Sequence, residues 1–98
     1  LVSLREEQLV RVISEMAGPL RAAAVAMLRL QEKPTQAPRE ALEAITAAIG
    51  DEAFIEAVAL LPVARQKQTL PPGSGSSTLL ALSRLAGHLR IALEDAVS

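Results

Sequence analysis

Ninety-eight residues amount to one domain, because a hydrophobic core needs upwards of about 50 residues and domains cluster at about 100–150. Half of the chain is hydrophobic, but eighteen residues are alanine and Phe54 is the single aromatic, with no Cys, Trp or Tyr. That composition excludes disulfides, thiolate nucleophiles and Cys-ligated zinc, and a lone His88 supplies neither a histidine metal cluster nor a catalytic triad. Ten Lys and Arg against eleven Asp and Glu give a net charge of −1, without the cationic surplus through which proteins hold nucleic acid.

Ser3-Leu4-Arg5-Glu6 has the spacing of a capping box, in which a hydroxyl and a carboxylate each satisfy an amide at a helix start. Leu9, Ile13, Met16, Leu20, Ala24 and Met27 then recur every three or four residues and predict one helix running toward Leu30. Gly18-Pro19 interrupts the helix without shifting the apolar phase, so the first helix is expected to be kinked there. Arg5, Arg11, Arg21 and Arg29 share this stretch with Glu6, Glu7 and Glu15, which offsets any nucleic-acid-binding stripe.

Two prolines between Lys33 and Pro38 mark a connection, with Thr35 a candidate cap. Pro38 suits the first turn of a second helix whose inner face would be Leu42, Ile45 and Ile49, flanked by Ala41 and Ala48. Gly50 is placed to end that helix, and Asp51 to cap a third whose buried face would be Phe54, Ile55, Val58 and Leu61. Pro62 is expected to close or kink it, with two further turns possible over residues 63–70. Residues 38–56 carry five carboxylates against Arg39, a local charge of −4; they lack the loop spacing of a calcium site and read as a solvated face.

Residues 71–77, Pro-Pro-Gly-Ser-Gly-Ser-Ser, read as a flexible linker between a domain over residues 1–70 and a final helix over 78–98. The tract has no lysine and no preceding strand, so it is not a phosphate loop. Ser77 or Thr78 would cap the last helix, in which Leu79, Leu82, Leu85, Ala86, Leu89, Leu93 and Ala96 form an apolar stripe that Leu80 and Ile91 widen. The stripe is either the last core helix or a ligand-like helix lying in a groove of residues 1–70.

These elements predict an all-α fold, a bundle of four to six short helices, since no period-two alternation is present. The uncharged stretches at 57–64 and 69–83 are too short for a membrane span. The absence of cysteine fits an intracellular setting, cytoplasmic or nuclear, and the start at Leu1 suggests a domain cut from a longer chain. The expected function is non-enzymatic: a protein interaction module, without cofactor or metal. It would contact another protein, or a second copy, through helix–helix packing. Leu79, Leu82, Leu85, Leu89 and Leu93 are the expected partner-binding anchors, with Arg84, Arg90, Glu94 and Asp95 setting register at the rim.

An alternative rests on His88 as a phosphoacceptor. Residues 13–20, Ile-Ser-Glu-Met-Ala-Gly-Pro-Leu, resemble the Ser-His-Glu-Leu-Arg-Thr-Pro-Leu box that opens the dimerisation hairpin of histidine kinases, without its histidine. That resemblance implies a phosphorelay-type dimerisation domain, or a silent relative that kept only the helices. His88 itself is followed by Leu89, Arg90 and Ile91, so Ile91 stands where the His-x-x-Lys-Gly pattern of phosphotransfer domains has its lysine.

Overall fold

The structure, a computed structural model, describes residues 2–33, 37–71 and 73–97, and the side chains of residues 5–96 among these. Four helices and no strand are present among the described residues: α1 (Val2–Leu30), α2 (Pro38–Ile49), α3 (Glu52–Lys67) and α4 (Gly75–Val97). The hydroxyl of Ser3 and all of Thr35, the expected caps of α1 and α2, lie outside the described residues.

α1 passes through Gly18-Pro19 as one helix of 29 residues. Proline lacks the N–H that would bond four residues back, so the Glu15 carbonyl has no helical donor. The turn survives because Pro19 is on the exposed side and the opposite side is well packed, with Ile13, Ala17, Leu20 and Ala24 all buried. Glu32 ends the helix in the left-handed conformation at φ 57. Lys33 N–H donates to the Leu28 carbonyl and Glu32 N–H to Arg29, the pairing of a Schellman motif built here without glycine.

Pro38 opens α2 behind Ala37, whose side chain makes no cap bond. Gly50 closes it in the left-handed region at φ 79, with its N–H on the Thr46 carbonyl, and Asp51 caps α3 by accepting from Ala53 N–H at 2.9 Å. Leu42, Ile45 and Ala41 are buried as expected, and Ile49 is half-buried. Ala48 is exposed instead, and Thr46 is buried with its hydroxyl donating to the Leu42 and Glu43 carbonyls. In α3, Phe54, Val58 and Leu61 are buried with Ala57 and Ala64, whereas Ile55 is exposed, because it lies a hundred degrees around the helix from Phe54. α3 continues through Pro62 to Lys67 and ends on a left-handed Gln68.

The Gly-Ser tract departs from its expected role as linker. Gly75, Ser76 and Ser77 form the first turn of α4, so its start lies ahead of Ser77 and Thr78. Thr78 N–H donates to the Ser74 carbonyl, Ser77 Oγ donates to the same oxygen, and Ser74 Oγ donates to the Pro71 carbonyl. Both hydroxyls thus bond locally to backbone carbonyls of the turn that leads into α4. Position 75 is also closely approached: a Cβ there would sit 3.1 Å from Leu9 Cδ1, a contact tighter than usual.

α1 and α3 each pack against all three other helices, while α2 and α4 do not touch. The start of α4 lies over Leu9, near the start of α1, and its second half shares a groove with residues 12–23 of α1. Those two helices therefore run the same way. Phe54, near the start of α3, meets His88 in the second half of α4, so α3 runs opposite to them. The core is made of Val10, Ile13, Leu20, Leu28, Leu42, Phe54, Leu61, Leu82, Leu85 and Leu89, with alanines between them that allow close approach of the helices.

Candidate apolar groove between the first and last helices

α1 carries two apolar faces. The buried one is Val10, Ile13, Ala17, Leu20, Ala24 and Leu28. A second, rotated around the helix, is Val12, Met16, Pro19 and Ala23, and it opens to solvent. Together with Leu20 of α1 and with Ala86 and Leu93 of α4 it lines a groove of about 490 Å³, rimmed by Glu15, Arg90 and Glu94. Val12 is 43% exposed in its wall. Such a face is chemically suited to a second apolar surface and offers little to a polar substrate.

The predicted anchors fall into two sets. Leu82, Leu85 and Leu89 are fully buried inside this chain, and Leu79 is packed against the same core. None of the three can touch a partner while α4 stays seated. Leu93 is half-buried and does line the groove, with Arg90 and Glu94 of the predicted rim beside it. Arg84 is exposed and does not line the groove, and neither does Asp95. The sequence placed Met16 in the core stripe, and it is partly buried against the core as well as lining the groove; Pro19 was read only as a kink, and Val12 and Ala23 were given no role. The available signal was the excess of apolar residues over one helical stripe between residues 9 and 30.

The other chemical groups are dispersed. His88 is exposed, with its ring edge-on to Phe54 at a centroid distance of 6.4 Å. No His, Asp or Glu group of three or more that could hold a metal occurs among the described residues. Arg39 and Glu43, an exposed pair at 3.4 Å, hold one another on α2. Near them Arg21 is half-buried, and its Nε is enclosed without a hydrogen-bond partner. Burial holds this guanidinium below its ordinary pKa, helped by the positive charges of Arg65 and Arg39 and opposed by Glu43. No helix among the described residues is long and apolar enough to cross a membrane.

Comparison with protein-family models, with curated proteins and with solved structures finds no match to this chain.

Proposed function

We propose that the chain is a non-enzymatic helical interaction module that receives an amphipathic helix in the α1–α4 groove. The observation that supports this most directly is the second apolar face of α1, in which Val12, Met16, Pro19 and Ala23 stand at helical spacing and end at solvent beside Leu93. A monomer with no such task would gain solubility from polar residues there. In this reading Pro19 also bends α1 along the groove, its ring displacing the preceding turn, and an incoming helix would lay its own apolar stripe between α1 and α4.

The chain has two methionines, and Met16 lines the groove, so its methyl group is a built-in reporter. Titrating methyl-labelled protein with a synthetic peptide of residues 78–98, used as a generic amphipathic helix, is expected to shift the Met16 signal saturably. Val12→Asp should abolish the shift without altering the helical circular dichroism. A Met16 signal that ignores the peptide up to millimolar concentration would remove this reading.

A further inference from the structure

Away from the apolar groove, half a turn around α1 from Val12, lies a cluster of positive charge. Arg21 of α1 is half-buried there, and the charges acting on it are the exposed Arg65 of α3 and Arg39 of α2, together with Glu43 of α2. Three guanidiniums from three helices against one carboxylate leave a net charge of +2, in a chain whose own net charge is −1. Glu43 is taken up by Arg39 at 3.4 Å. Neither Arg21 nor Arg65 has a hydrogen bond or ion pair among the described residues. Arg21 Nε is enclosed without a partner, while its terminal nitrogens, equally unpartnered, reach solvent. Holding an enclosed donor with nothing to bond beside two like charges lowers stability, a penalty that an arriving anion would offset.

We infer that Arg21, Arg39 and Arg65 form a binding site for a phosphoryl group, free phosphate or a phosphate monoester, at the junction of α1, α2 and α3. The charge fits, because such a group carries about −1.5 to −2 near neutral pH, whereas a carboxylate supplies half of that. Its shape fits as well. Guanidiniums donate paired N–H bonds to phosphate oxygens, and a tetrahedral group offers oxygens on three sides where a flat carboxylate offers two. Room is present beside Arg21. Ser14, Gly18 and Arg21 follow one another along one face of α1, and a Cβ on the exposed Gly18 would meet nothing within 4 Å. Arg65 and Ser14 also line an α1–α3 groove of about 480 Å³, whose one acid, Glu7, is matched by Arg11 a turn further along α1. A chain carrying the phosphoryl group could lie in that groove.

The Nε–H resonances of the arginines read this site directly. When inorganic phosphate replaces chloride at constant ionic strength, the Arg21 and Arg65 signals of the whole chain are expected to move saturably. The signal of Arg84, exposed on α4, should stay in place. Arg21→Met and Arg65→Gln should each weaken phosphate binding about tenfold, with the circular dichroism of both variants that of the parent. Acetate should bind at least about tenfold more weakly than phosphate. A short neutral peptide bearing one phosphoserine then identifies the source of the group. Tighter binding than phosphate, with the unphosphorylated peptide inert, supports the site as a receptor for a phosphorylated protein segment; binding no tighter supports it as a site for free phosphate. Signals that stay fixed, signals that move together with Arg84, or binding that survives both substitutions overturn the site. Acetate binding as tightly as phosphate overturns the phosphoryl assignment. None of these outcomes touches the Met16 titration, so the α1–α4 groove is tested separately.

Discussion

Leu85→Ala decides whether α4 is part of the core or a helix merely resting on it. Leu85 is 0% exposed in the middle of α4, between two other fully buried leucines, so truncation removes a complete set of buried methyl contacts and leaves a cavity that rigid helices refill only in part. Buried Leu→Ala changes cost about 2.7–5 kcal/mol, against a total stability of about 5–15 kcal/mol for a chain of this length. The melting temperature is expected to fall by about 11 °C or more, taking about 4–8 °C per kcal/mol for a domain of this size. Leu80→Ala, the same chemical change five residues earlier, should cost under about 0.5 kcal/mol, because Leu80 is 62% exposed. The assay is thermal and urea unfolding followed by circular dichroism, and both variants should unfold in one step. A chain ended at residue 70 should lose cooperative unfolding altogether. If Leu85→Ala instead shed the helix signal of α4 at low temperature and left the main transition in place, α1 to α3 would be a domain of their own, and the assignment of Leu82, Leu85 and Leu89 to a shared core would fail.

The two left-handed helix ends make opposite demands. Gly50→Ala is expected to destabilise by about 1 kcal/mol, since an L side chain is strained at φ 79, while Glu32→Gly, at φ 57, should stabilise by a similar amount; urea midpoints of the two variants check both signs. Arg21→Met should raise stability or leave it unchanged, because the guanidinium is disfavoured by burial and by Arg65 and Arg39. Its pKa is lowered in the folded chain, so the penalty is present wherever the group is protonated in both states and is relieved only as pH rises through the folded value. Across the neutral range the effect of Arg21→Met should therefore be flat with pH. Added salt, which screens the repulsion, should narrow the gap between parent and variant; a gap that widens with salt would contradict the assigned cause.

Much of the architecture was legible because local chemistry and burial agree. Gly50 and Asp51 close one helix and open the next with side chains suited to those positions, and the all-helical composition left no competing period. The start of α4 was not legible. Gly and Ser are poor helix formers, and the close approach of Leu9 to Gly75 involves a residue remote in sequence. Pro62 was expected to close or kink α3, with two further turns possible beyond it, and the helix does run on to Lys67, held by the buried Leu61 and Ala64 on either side of the proline. In α1 the periodic stripe named Met16, which is partly buried against the core, and passed over the fully buried Ala17, since a broad apolar arc does not reveal which edge faces inward. The groove followed from that same ambiguity. Its apolar residues were visible as letters, but their exposure depends on where α4 settles.

The parallel seating of α4 on α1 bears on the order in which the chain is assembled. α2 and α3 are joined by Gly50 and Asp51 alone, so their docking closes almost no loop. Leu9 and Gly75, which meet at the α1–α4 contact, must be brought together from distant parts of the chain, and that closure entropy is spent before any contact repays it. α1 precedes the other three helices in the chain and packs against each of them, so its cover is complete only when α4 docks. The part of its inner face that α4 covers stays accessible until then.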